Sequence, residues 1–284
     1  MKKLVLVAFI ALSSIAVTAQ VKTPQASPSS KVEQVVGLTT VEVNYSRPSA
    51  KGRTVFGELV PYGSTWRTGA NANTTVTFSE NVKVEGKDLA KGTYSLYTTP
   101  KADSWDVVFY KTTDNWGLPE KWNDADVAVK VSVKPESTNR QIETFTIAFD
   151  NITNDNAVLS IQWEKTIVPI KIEVPTKEVA ISSIEKTLAG PKAGDYFSAG
   201  QYFYNSNGDM NKALSWVNQA IDLTEKGKDV PFWYLRQKSL IQAKLNDKKG
   251  AVETAKLSLA AAIKAGNKDY EKMNNDSIAE WSKK

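Results

Sequence analysis

Cysteine and histidine are both absent from this chain. Without cysteine there is no disulfide, no thiol redox chemistry, no thiolate ligand and no lipid attachment through an N-terminal cysteine. Without histidine, Ser–His and Cys–His nucleophilic catalysis fall away, and so do histidine-based zinc, copper and iron sites. What remains is carboxylate acid–base chemistry, lysine chemistry, hard-oxygen sites for calcium or magnesium, or no catalysis at all. Stability has to come from an apolar core, which 284 residues can supply in one or two domains. Long apolar runs are scarce as well. Leu4 to Val17 is one, but it is shorter than the ~20 residues a spanning helix needs. Lys2 and Lys3 precede it and Val17-Thr18-Ala19 follows it, so Met1–Ala19 reads as a signal peptide cleaved before Gln20. The protein is therefore expected to be exported, to the periplasm or beyond the cell, with no transmembrane anchor. The formal charge of +5 is modest, and two of its lysines lie in the signal peptide. No concentrated basic face is evident, so nucleic acid is not an expected partner.

Two periods divide the remainder. Residues 20–30 are rich in Pro and Ser and read as a flexible spacer. From Val41 to Val174 apolar residues alternate with polar ones: Val41/Val43/Tyr45, Val76/Phe78, Val82/Val84, Tyr94/Leu96, Val107/Phe109, Val127/Val129/Val131/Val133, Phe145/Ile147/Phe149, Leu159/Ile161/Trp163 and Ile170/Ile172/Val174. Nine short half-buried strands without intervening helices predict an antiparallel β-sandwich over residues 31–175. Glu85-Gly86-Lys87 and Asn154-Asp155-Asn156 read as turns. After Pro175 the period becomes helical, as in Ile181/Ile184/Leu188, Leu214/Val217/Ile221, Trp233/Leu240 and Val252/Leu259/Ile263. Residues 176–284 are thus expected to form about six helices in hairpins, an all-α domain. The stop signals are Gly190-Pro191, Asn207-Gly208-Asp209, Gly227-Lys228-Asp229, Asn246-Asp247 and Gly266-Asn267. Gly208-Asp209-Met210-Asn211-Lys212-Ala213 returns loosely as Asn246-Asp247-Lys248-Lys249-Gly250-Ala251, and each opens a small-residue register: Ala213/Val217/Ala220 and Ala251/Ala255/Ser258. The region resembles tetratricopeptide repeats, with Lys226 to Pro231 as an insertion that lengthens the usual period of about 34 residues.

All but five of the 36 basic residues are lysine, yet Arg47, Arg53 and Arg67 fall close together. Arginine supplies a planar fork of donors that lysine cannot imitate. One reading is a ligand site: forks for a small acidic or glycan-like group, Tyr62 and Trp66 as stacking walls, Asn71 and Asn73 as neutral partners. The other is a long connection tied to the sandwich by arginine bonds to carbonyls and carboxylates. Farther on, Trp105 and Phe109 share a strand face and read as core, whereas Trp116 and Trp122 sit in loop chemistry. Trp116 is the candidate sugar platform. Asp114, Asp124 and Asp126 lack a glycine-bearing calcium loop, and Asn205/Asn207/Asp209/Asn211 is followed by Trp216 where a carboxylate would be required. No metal, cofactor or catalytic residue is assigned. In the helical region Phe232, Trp233, Tyr234 and Arg236 either fill interhelical space or line a groove for a protein partner.

Taken together, Tyr45-Ser46-Arg47-Pro48, Gly52-Arg53, Val55-Phe56-Gly57, Leu59-Val60-Pro61-Tyr62-Gly63, Trp66-Arg67-Thr68-Gly69-Ala70-Asn71 and Lys91-Gly92-Thr93-Tyr94-Ser95-Leu96 resemble the domain-of-unknown-function family numbered 2911. The resemblance covers residues ~30–175 and implies an exported bacterial protein, often with a helical tail. It carries no activity. The composition favours a non-enzymatic binding or scaffold protein. Its alternative is a carboxylate-based hydrolase of envelope glycans or peptides, drawing on Glu58, Glu80, Glu85, Asp114, Glu120 or Asp124.

Overall fold

The computed structural model describes residues 23–188, 190–224 and 230–283. The expected signal peptide and the stop signal Gly227-Lys228-Asp229 lie outside the described residues. The chain divides into two compact units, the first ending at Val174 and the second beginning at Pro175.

Among the described residues ten antiparallel strands build the first unit: β1 Ser29–Val36, β2 Thr39–Ser46, β3 Thr75–Phe78, β4 Val82–Val84, β5 Lys87–Leu89, β6 Gly92–Pro100, β7 Trp105–Tyr110, β8 Val127–Val133, β9 Glu136–Asp150 and β10 Asn156–Glu173. They form a six-stranded sheet, β1-β2-β3-β6-β7-β8, and a four-stranded sheet, β5-β4-β10-β9. The inward members of the alternating pattern from both sheets share one apolar core, among them Val43, Val76, Leu96, Phe109, Phe145, Ile161 and Ile170. That is a β-sandwich.

Three elements depart from the sequence pattern, each for a physical reason. β1 starts inside the expected spacer, because Ser29 and Ser30 pair with Ser46 and Tyr45. It is an edge strand whose faces alternate only between exposed and half-buried, which leaves a weak period. β5 emerges from a tight turn in which Glu85 (φ 48°) and Gly86 (φ 78°) both take left-handed backbone, and three residues are too few to show alternation. The two last expected strands are one: β10 runs through Glu164 (φ 51°), with register shifts against β9 on either side. Such a bulge bends a strand without ending it.

The open edge of β9 is closed by the chain that follows β2. The Tyr45 hydroxyl donates to Ile147 O at 3.3 Å and accepts from Ile147 N at 3.1 Å. Phe145 N then donates to Pro48 O, and Ala50 N to Glu143 O, both at 2.8 Å. Two sheets are thereby sewn along one edge.

Among the described residues six helices form the second unit: α1 Thr176–Thr187, α2 Ala193–Asn205, α3 Met210–Asp222, α4 Phe232–Lys244, α5 Lys248–Lys264 and α6 Lys268–Trp281. Asp209, Asp247 and Asn267 cap α3, α5 and α6 through their side chains, as short polar residues before a helix do. Both small-residue registers are interior, since Ala213, Val217, Ala220, Ala251, Ala255 and Ser258 are fully buried. The α4 face differs from expectation. Tyr234, Gln237 and Ile241 point inward, while Trp233 is 42% exposed.

Two outcomes are expected from this packing. Tyr45→Phe strands both backbone groups of Ile147 and should cost about 1–3 kcal/mol in urea unfolding. Gly200→Ala should destabilise as well, although alanine gains about 1 kcal/mol of helix propensity. A Cβ there would lie 2.6 Å from Val217 Cγ2 and 3.0 Å from Ala213 O, so α2 and α3 would have to separate. Far-ultraviolet circular dichroism during unfolding reads that loss.

Candidate functional site

The long connection between β2 and β3, residues 47–74, plugs one end of the sandwich with aromatic rings. Trp66 lies stacked over Trp163 (centroids 5.9 Å apart, planes 21°) and edge-on to Phe145 at 5.2 Å. Phe56 meets Trp105 edge-on at 4.8 Å and Trp163 at 6.2 Å. The Trp66 indole N–H donates to Gly69 O at 3.0 Å, and its backbone bridges Thr98 in both directions. Trp66 therefore works as part of the core, packed against its buried cluster.

The three arginines separate by what their forks hold. Arg47 donates from Nε to Phe145 O (3.0 Å) and from Nη2 to Thr146 Oγ1 (2.7 Å), clamping β9. Arg53 donates to Ala50 O (2.9 Å) and Ser49 O (2.8 Å), closing its own turn. Both forks are engaged by the protein itself. Arg67 makes one bond, from Nη1 to Asn71 O, and has no carboxylate partner among the described residues.

Alternation at the Trp66–Thr98 bridge explains where Arg67 points. Trp66 faces the core, so its neighbour faces the outer surface of the six-stranded sheet. There Tyr97, Val108 and Tyr110 form a small second cluster. The loop after β7 covers it, with Trp122 edge-on to Tyr97 at 5.6 Å and over Tyr110 at 4.7 Å. Tyr97 OH donates to Gly117 O at 3.0 Å and holds the loop down. The guanidinium of Arg67 rests directly on Gly117, where a Cβ would come within 2.9 Å of Cζ. Beside it Trp116 is 76% exposed, the most open of the large apolar side chains described.

Asn71 and Asn73 frame this corner. Asn71 donates to Ser27 O (3.0 Å) and Ser46 Oγ (3.3 Å). Asn73 is buried and donates to Ser95 Oγ and to Thr113 O (3.3 Å), linking the turn to the covering loop. The turn itself is strained: Thr68, a β-branched residue, has φ 53°, and Asn71 has φ 59°. Thr68 is held there by Thr98 Oγ1 at 3.0 Å and by Thr74 Oγ1, which donates to Thr68 O at 2.6 Å. Tyr62 belongs elsewhere. Its ring packs on Gly57, in a separate cleft near Trp105. The structure thus gathers Arg67, Asn71, Asn73 and Trp116, and leaves Arg47, Arg53, Tyr62 and Trp66 outside the corner. Thr68 and Gly117 complete it. Nothing in the sequence marked a threonine for left-handed backbone, although Gly117 stood in a loop already marked by Trp116.

Asp126 accepts from Asn123 Nδ2 (2.9 Å) and Asp124 from Trp122 Nε1 (2.9 Å), so both shape the loop. No group of three or more acidic residues is placed to hold a metal ion among the described residues. Partial burial raises the pKa of Asp106, but hydrogen bonds from Lys101 and Lys130 outweigh it and hold the carboxyl low. That is opposite to what a general acid requires. In the helical unit Tyr234 stacks on Phe197 at 4.4 Å and Phe232 meets Tyr270 at 4.7 Å. Arg236 donates to Ser277 Oγ at 3.0 Å and lies over Trp281. Trp233 is the one member of that quartet turned outward.

Residues 27–172 match the family described as "Protein of unknown function (DUF2911)". The chain belongs to that family. No curated protein and no solved structure matches it.

The arginines are separable by experiment. Arg47→Lys loses a two-point clamp on β9 and should cost about 1–3 kcal/mol in urea unfolding. Arg67→Lys, which gives up a single part-buried bond, should stay within about 1 kcal/mol of the parent.

Proposed function

We propose that this is an exported, non-enzymatic binding or scaffold protein whose β-sandwich recognises a small acidic or glycan-like group at the Arg67–Trp116 corner. The carrying observation is the contrast among the three arginines. Two spend a pair of donors each on the protein's own acceptors, while Arg67 makes a single bond and is propped on Gly117 with most of its donors uncommitted. A guanidinium held in place before a ligand arrives loses less entropy on binding. The left-handed Thr68 beside it supports the reading, because strain of order 1–3 kcal/mol persists where surrounding bonds over-determine a conformation, often at ligand clamps. Trp116 adds a flat exposed ring on which the C–H face of a sugar can lie. Export rests on the leader pattern of Met1–Ala19. The helical unit would engage a protein partner along a groove of about 750 Å³ between α4 and α5, where Trp233 and Leu257 remain open.

Differential scanning fluorimetry of the chain from Gln20 tests the site. The probes are glucuronate, galacturonate, N-acetylneuraminate and inorganic phosphate. A ligand at a hundredfold its dissociation constant stabilises by about 2.7 kcal/mol, and that shift should vanish in Arg67→Lys and shrink in Trp116→Ala. A shift that survives Arg67→Lys would remove the corner as the site. Early melting of Arg67→Lys with no shift for any probe would make this arginine, too, a structural tie.

A further inference from the structure

A concavity opens elsewhere beside the aromatic plug. It is a cleft of about 200 Å³ where the connection after β2, the β6–β7 turn, the β8–β9 turn and β10 converge. Its back is apolar, made by Phe56 and Trp105. Tyr62 stands as a side wall, 53% exposed, its ring seated on Gly57 and its backbone pinned by Gly63 N to Pro100 O at 2.8 Å.

Apart from Lys101, the polar side chains that line this cleft have no partner among the described residues. The side chains of Tyr62, Glu136, Ser137 and Thr166 make no hydrogen bond among the described residues, and neither does the indole N–H of Trp105. The indoles of Trp66, Trp122 and Trp163 all have acceptors, at 3.0, 2.9 and 3.1 Å. Trp105 is 1% exposed, and its indole N–H has no acceptor among the described residues. The β10 bulge produces the arrangement. Past Glu164 the register jumps until Thr166 faces Ser137, which sets two hydroxyls side by side at the mouth.

We propose that this cleft is a second binding site, for one neutral polyhydroxylated ring of the hexose class. Size comes first: the volume falls below the ~300–1,000 Å³ of pockets for drug-sized ligands, which leaves space for a single small ring. Charge is the second constraint. Glu136 at the rim repels an anion, and the Lys101 ammonium, already paired with Asp106 at 3.1 Å, offers an anion little in return. A neutral polyol avoids that penalty. Its hydroxyls donate to Glu136 and accept from Ser137, Thr166 and the Trp105 indole, while its C–H face lies on Tyr62. This site shares no residue with the Arg67–Trp116 corner and holds or fails independently of it.

Nitrogen-15 NMR of the full chain provides the test, with D-glucose and N-acetylglucosamine as probes. Either sugar should move the Trp105 indole N–H signal saturably, with a dissociation constant on the order of millimolar. Tyr62→Ala should weaken binding ~10-fold, the scale of one aromatic contact. Ser137→Ala, a change at an exposed position, should weaken it without altering the melting temperature, and Arg67→Lys should leave it unchanged. An indole signal that stays fixed with both sugars overturns the proposal. So does a titration that Tyr62→Ala and Ser137→Ala leave intact, and so does a preference for glucuronate over glucose at this signal.

Discussion

The stack of Trp66 on Trp163 is the contact on which the β unit's functional features rest. Trp66 comes from an irregular connection and Trp163 from the middle of β10, so their contact converts a long excursion into a fixed end-piece. Each ring removes about 150–250 Å² from water, and edge-to-face pairs with Phe145 and Phe56 add specific geometry. Everything near Trp66 inherits that rigidity. One residue onward, alternation throws Arg67 to the outer face. Four residues back, the same segment presents Tyr62 to the cleft near Trp105. A single packing event thus sets a surface corner and a cleft of different chemistry on the same segment.

Arginine plays two roles within a few turns of chain, and the difference is which partners lie within reach. Arg47 and Arg53 lie in the irregular connection after β2, within reach of three backbone carbonyls and the Thr146 hydroxyl, and a buried acceptor without a donor costs about 1–3 kcal/mol. Their forks meet two of these acceptors each. Arg67 lies over the second, smaller cluster on the outer face, where Tyr97 and Tyr110 already satisfy the covering loop. With fewer backbone acceptors to serve, its donors remain available.

The helical unit contains two kinds of interior. Around α1–α3 and part of α4 it is apolar, with Phe203, Trp216 and Val217 at its centre. Between α4, α5 and α6 it is built from small and polar residues. Thr254 donates to Gln242 at 2.7 Å, and Asn274 to Ser258 at 3.0 Å. Small side chains let helices approach closely, but they require every buried polar head to find a partner, and Gln237 Nε2 and Asn274 Oδ1 have none. The apolar residues of α5 that this arrangement does not need, Leu257 and Ile263, are left on the surface at 60% and 54% exposure.

Much of the fold was legible in the chain because side-chain period reports secondary structure directly. The alternation of Val41/Val43/Tyr45 or Phe145/Ile147/Phe149 and the alanine registers of α3 and α5 need no partner to be read. Absence of cysteine and histidine was equally decisive about chemistry. Edge strand β1, three-residue β5 and the continuity of β10 through Glu164 were not legible, since each depends on a pairing partner or a bulge rather than on period. The arginine cluster was visible as composition, but composition cannot say which fork meets a carbonyl. That was decided by tertiary contacts: Phe145 O and Thr146 Oγ1 for Arg47, Ala50 O and Ser49 O for Arg53, and for Arg67 the bare α-carbon of Gly117. Sequence determined which segments alternate or coil and which donors exist. Only packing decided where those donors are consumed and where they stay open, because hydrogen-bond satisfaction depends on which distant backbone groups the fold brings within about 3 Å.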